Sequence, residues 1–247
     1  MNTNQRIGFG KKVRWDWMLL AIRLRTHGAS FAEAREELDA LIAKTNAGKE
    51  AIAKTRSALR QVVFQPTPSC RHFSERGIEL FRRRGEAVAL PVIWGLSISA
   101  YSFFASCGET VGRLLRLHGE FTAAEMLRRL TEREGDRGFV IRIARFNLST
   151  MLDWGLLELD PKSKRYRRGK QAAASDPEIL GWLVEGILLA TGKSSMPQSQ
   201  LFASNLFFPF DAKPIALAQL TRANPRLQVI RQNLNEEIVA LHDGVQG

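Results

Sequence analysis

The stretch from Thr110 to Arg168 constrains this chain more than any other, because start and stop signals follow one another there in a fixed order. Thr110 to Leu117 reads as a helix that ends at His118-Gly119. Glu120-Phe121 is a short extended piece, and Thr122-Ala123-Ala124-Glu125 is a capping box that opens a second helix, to about Arg133. In such a box a hydroxyl and a carboxylate three residues apart satisfy two backbone N–H groups that the helix leaves unpaired. Gly135-Asp136-Arg137-Gly138 is a turn, and a long helix from Phe139 to Trp154 is closed by Gly155. Leu156 to Leu159 reads as a strand, Asp160 to Arg165 as a polar turn, and Tyr166 to Arg168 as the return strand. Helix, strand, helix, turn, helix, hairpin is the order of a winged helix-turn-helix.

The first 64 residues repeat part of that layout. Trp15 to Thr26 is a mixed apolar and basic helix that stops before His27-Gly28, and Ser30-Phe31-Ala32-Glu33 is another capping box. Its helix runs to about Lys44, Asn46-Ala47-Gly48 breaks it, and a third helix runs from Lys49 to about Phe64, before Pro66 and Pro68. Ile52, Leu59, Val62 and Val63 share one face of that third helix, while Lys54, Ser57, Arg60 and Gln61 point the other way, with Lys49 near its start. This polar face suits either a duplex or plain solvent.

Four segments follow from these boundaries: 1–64, an N-terminal helix-turn-helix unit; 65–106, a linker and buried helices; 107–170, the winged helix; and 171–247, a C-terminal docking or core region. The expected fold class is mostly α, with tandem helix-turn-helix units, a small β-hairpin in the second, and a C-terminal α-rich region. Ala87 to Gly108 carries no charge, and its length suits a membrane span. Pro91, Gly95 and four serines interrupt it, so burial in the core is the expected fate. In the last segment a helix is expected from Asp176-Pro177 to about Thr191 and another over Ile215 to Thr221. A strand is expected over Leu227 to Arg231, and a closing helix or strand over Asn235 to Leu241.

Charge divides the chain. The formal net charge is +11, and the first 170 residues hold all of the excess: residues 171–247 carry 5 Lys/Arg against 7 Asp/Glu. A basic half attracts polyanions, of which nucleic acid is the commonest in cells. Within the winged helix, Val140, Ile141, Ala144, Leu148, Met151 and Leu152 form the apolar face of the long helix. Its opposite face holds Arg142, Arg145, Phe146, Ser149 and Asp153. Arginine offers a bidentate fork to guanine, and small polar groups also read base edges, so Arg142, Arg145 and Ser149 are candidate groove contacts. Arg137 precedes the helix and is placed to clasp a phosphate at its N-terminus. Lys162, Lys164, Arg165, Arg167 and Arg168 load the wing, where a basic hairpin would lie along the phosphate backbone. On the N-terminal unit Lys49, Lys54 and Arg60 are further candidates. Phe146 and Asp153 argue the other way, since an aromatic ring and an acid on the same face suit a protein interface.

No catalytic or metal-binding pattern is present. Cys70 and Cys107 are too few for a disulfide framework, and no second ligand pair accompanies Cys70 and His72. Gly192-Lys193-Ser194 resembles the end of a phosphate-binding loop, but a helix precedes it and the earlier glycine is misplaced. No cofactor, no metal and no enzymatic activity are expected. Met1 to Gly10 lacks an apolar secretory core, so the cytoplasm is the expected location.

An N-terminal helix-turn-helix, a buried aromatic segment and a winged helix ending in Leu-Ser-Thr-Met-Leu-Asp-Trp-Gly-Leu-Leu-Glu (148–158) together resemble the BrxA family of BREX-type phage-defence systems. The likeness spans residues 15–170 and is one of architecture, so no site residue is carried over from it. It implies a small, all-helical DNA-binding accessory protein of a prokaryotic defence system. From the residues alone, the expected partner is double-stranded DNA, with a C-terminal region suited to protein partners and no membrane; the resemblance implies that those proteins belong to the same operon. Self-association is left open, as are a regulatory role in transcription and a protein-adaptor role without DNA contact.

Overall fold

Strong helix formers between clear caps give a chain in which helices dominate. The structure, a computed structural model, describes residues 8–45, 47–135, 138–212, 215–233 and 236–242. Helices α1 (Trp15–Thr26), α2 (Phe31–Ala43) and α3 (Lys49–Leu59) build the first unit. At the start of α2 the Ser30 hydroxyl accepts from the Glu33 N–H and the Glu33 carboxylate accepts from the Ser30 N–H. Helix α3 passes into a wider π turn over Arg60–Phe64, so the helical path reaches the length its sequence indicates.

Helix α4 (Arg71–Arg84) leads to α5 (Ala89–Ala100), which is buried from Ala89 to Ile98 apart from Leu90. Tyr101 breaks the uncharged segment, and the next helix, α6 (Ser102–His118), departs at 119°. Among the described residues no single helix is long and apolar enough to cross a membrane. The first helix of the winged unit therefore starts at Ser102, eight residues before the first one expected, because the apolar segment feeds directly into it.

Strand β1 (Glu120–Thr122), α7 (Ala123–Glu134), α8 (Gly138–Asp153), β2 (Leu157–Leu159) and β3 (Arg165–Arg168) complete the winged helix. The second capping box is formed between Thr122 and Glu125. The sheet order is β1-β3-β2, antiparallel throughout, and Phe121 stacks on Tyr166 across the β1–β3 pair.

Beyond it, β4 (Ala172–Ala173) precedes α9 (Pro177–Thr191), β5 (Ser195–Pro197) and α10 (Gln198–Phe202). Strand β6 (Phe210–Asp211), α11 (Leu217–Ala223), β7 (Leu227–Asn233) and β8 (Glu236–Leu241) follow. Here β8 lies between β5 and β7, all antiparallel, so the closing element is a strand and a small sheet joins the expected helices. Gly192 is the left-handed cap of α9 and leads into β5, so Gly192-Lys193-Ser194 ends a helix and does not cradle a phosphate at the start of one.

Helix α9 docks through Trp182, whose ring stacks on Phe73 at 4.3 Å and whose Nε1–H donates to the Phe73 carbonyl. A Cβ at Gly77 or Gly95 would lie 2.5 or 2.4 Å from that ring, so this close approach requires glycine at both positions. Beside it, buried Glu185 is held by Arg76, Arg226 and Asn224. One continuous apolar core runs from Phe9 to Val239 through all four sequence segments.

Candidate nucleic-acid interface

The orientation of α8 follows from its apolar positions. Val140, Ala144, Leu148 and Met151 are buried, as their spacing requires. Asn147 and Thr150 are also fully buried, and their cover comes from far away in sequence. Residues 8–14 lie along α8 as a strap. The Val13 N–H donates to Thr150 Oγ1 at 3.0 Å, and the Trp154 Nε1–H donates to the Val13 carbonyl at 3.0 Å. Phe9 anchors the strap, fully buried and edge-on to the rings of Tyr101, Phe104 and Trp154. Asn147 donates to Cys107 Sγ, and burial pushes the Cys107 thiol up to about 12.

The strap overturns one expectation. Phe146 and Asp153 do not stand open on the exposed face. Asp153 accepts from the Trp15 N–H at 2.9 Å, lies 2.7 Å from Lys12 Nζ and within 3.9 Å of Arg14 Nε, and its side chain is only 16% exposed. The Lys11 ammonium sits 5.3 Å from the centroid of the Phe146 ring, a cation–π distance. The acid is thus neutralised and the ring is occupied by groups belonging to the chain itself.

What remains open on α8 is Arg142, Arg145 and Ser149. Both arginines are exposed and Ser149 is half-buried, and their i, i+3, i+7 spacing puts them on one stripe. Among the described residues neither guanidinium has a hydrogen bond or ion pair.

The wing is less free than its composition indicates. Arg165 and Arg167 both pair with Glu120 across the β1–β3 ladder, and an Arg168 guanidinium N–H donates to the Phe208 carbonyl at 3.0 Å. These partners sit on neighbouring elements that a reading of the hairpin alone does not include. Lys162 and Lys164 stand exposed at the tip. The Asp160 carboxylate shapes that tip by accepting from the Lys162 and Ser163 N–H groups, which hold it below the usual carboxylate range. Lys164 takes a left-handed backbone, with φ of 56°.

On α3, Lys54 is paired with Glu50. The Arg60 Nε–H donates to Gln65 Oε1 at 2.7 Å, and the guanidinium lies 5.3 Å over the Phe31 ring. Lys49 is exposed. Arg137 lies outside the described residues. Sequence reasoning missed Lys11, Lys12 and Arg14, whose only signal is two apolar residues, Phe9 and Val13, set in a polar run. Among the described residues, no group of three His, Cys, Asp or Glu side chains is placed to hold a metal ion. No family model matches the chain, and neither do the curated proteins or solved structures with which it was compared.

Proposed function

We propose that this chain is a non-catalytic double-stranded DNA-binding protein that lays α8 against a duplex. The observation that carries the reading is the stripe of Arg142, Arg145 and Ser149, which has no partner among the described residues, on a helix whose only acid, Asp153, is neutralised within the fold. Arginine and a small hydroxyl are the groups that read base edges, and the exposed Lys162 and Lys164 would add phosphate contacts from the wing. The C-terminal region, which lacks the positive excess, is proposed to meet protein partners. A role in a phage-defence system or in transcriptional regulation rests on likeness of architecture alone.

Electrophoretic mobility shift with a generic duplex at low salt tests the reading. A shift is expected for the native chain and a much weaker one for R142A/R145A. Absence of any shift at low salt would overturn it. A protein-adaptor reading has one observation in its favour: Leu117 on α6 is 57% exposed beside a groove of about 290 Å³ lined by Arg113, His118 and Arg129.

A further inference from the structure

We propose that the groove between α6 and α7 is a docking site for an acidic peptide segment of another protein, held by one large apolar side chain seated against Leu117. The groove shares no residue with the stripe on α8, so this inference and the DNA reading stand or fall separately.

Leu117 falls on the last turn of α6, just before the His118-Gly119 stop, where the chain turns away into β1. Of the three large apolar side chains exposed among the described residues it is the most exposed, at 57%. A single exposed leucine is ordinary on a protein surface. This one stands at a groove of about 290 Å³ whose lining includes the buried Leu114, with Arg113 from α6 and Arg129 and Arg133 from α7 around it. That volume lies near the lower end of the range of about 300–1,000 Å³ for small-ligand sites, which suits one anchoring side chain and not a whole helix or strand.

The charge left open around the groove is positive. Its two acids are engaged by the chain itself: Glu109 accepts from Asn205 Nδ2 at 2.8 Å, and Glu132 lies 3.3 Å from Arg128 and 3.8 Å from Arg129. Arg113 stands one turn before Leu117 on the same stripe of α6. It is exposed, as is Arg116 beside Leu117, and neither guanidinium has a hydrogen bond or ion pair among the described residues. Arg129 and Arg133 hold only Glu132 and Glu134 of their own helix, at 3.8 and 3.5 Å, and such surface pairs exchange readily for an arriving carboxylate. An apolar anchor point among open cations matches a segment in which a large apolar residue is flanked by Asp or Glu. A duplex backbone would meet the arginines and leave Leu117 in water.

Selection of a displayed library of random peptides on the full chain tests the inference. Peptides with one large apolar residue flanked by Asp or Glu are expected to enrich. In fluorescence anisotropy, labelled synthetic copies should bind the native chain and lose roughly tenfold or more in affinity on R113E/L117E. L117A should give a smaller loss and R142A/R145A none, with every variant melting as the native chain does, because all four side chains are exposed. If R113E/L117E melts early, R113A and L117A take its place, and both must weaken binding at the native melting temperature. The proposal is overturned if no peptide enriches, if the enriched sequences are basic, or if the variants bind the peptides as the native chain does. It is also overturned if R113E/L117E loses duplex affinity and no peptide affinity, which would give the groove to nucleic acid. Self-association of the native chain that L117A abolishes, read by analytical ultracentrifugation, would give the groove to a second copy and contradict the proposal as well.

Discussion

Helices α3 and α8 look alike in sequence, each with an apolar face opposite a basic one, yet the structure treats their cations in opposite ways. On α3, Lys54 meets Glu50, Arg56 meets Asp39, and Arg60 is held by Gln65 and the Phe31 ring. On α8, Arg142 and Arg145 are exposed without a partner among the described residues, while the acid and the aromatic ring are covered. The difference does not arise within either helix. Partners for α3 come from its own turn and the helix before it, whereas the cover for α8 comes from a strap more than a hundred residues away. A basic helix face is a candidate binding surface only after its neighbours have been subtracted.

The largest expected effect breaks the comparison on the α8 side. Each bidentate base contact is worth about 1–3 kcal/mol, so R142A/R145A should weaken duplex binding by about 2–6 kcal/mol. Its melting temperature should stay close to native, because neither side chain is buried. Fluorescence anisotropy with a labelled duplex and a thermal melt check both halves.

Next comes the strap itself. Phe9→Ala removes a fully buried aromatic anchor and should destabilise the fold by about 3–5 kcal/mol, read by urea denaturation. Asp153→Ala leaves the Trp15 N–H without its acceptor and should cost about 1–3 kcal/mol of stability by the same assay. Because it releases Lys12 and Arg14, it should not weaken duplex binding. A loss of binding equal to that of R142A/R145A would mean that α8 is positioned by Asp153 and not merely neutralised around it.

The smallest effect lies on α3. Exposed pairs such as Lys54–Glu50 are worth well under about 1 kcal/mol, so K54A/R60A should change stability by no more than about 0.5 kcal/mol and duplex affinity by less than about threefold. A large drop in affinity would reverse the roles of the two helices.

The mostly helical architecture was legible because its signals are local. Ser30 with Glu33 and Thr122 with Glu125 lie three residues apart, and Gly28, Gly119 and Gly155 take the left-handed backbone that ends each helix. The candidate stripe was also legible, since Arg142, Arg145 and Ser149 follow from periodicity alone. What could not be read was anything set by distant chain. Asp153 and Phe146 are neutralised by residues 11–14, and Arg168 is tied to Phe208. The break at Tyr101 was likewise hidden, because no proline or glycine stands between Ile98 and Ala105 to mark it, and α5 and α6 pack against α9 from a distant part of the chain.

Placement of α8 against the duplex is the central claim, and a thiol-attached photocrosslinker tests it most directly. Cys70 and Cys107 are both buried, and the Cys107 thiol titrates only near 12, so an engineered surface cysteine can be labelled selectively at neutral pH. A probe on Ser149→Cys should crosslink efficiently to a bound duplex, and the same probe on Ser57→Cys of α3 should not. Crosslinking from position 57 and none from 149, in complexes of equal occupancy, would contradict the account.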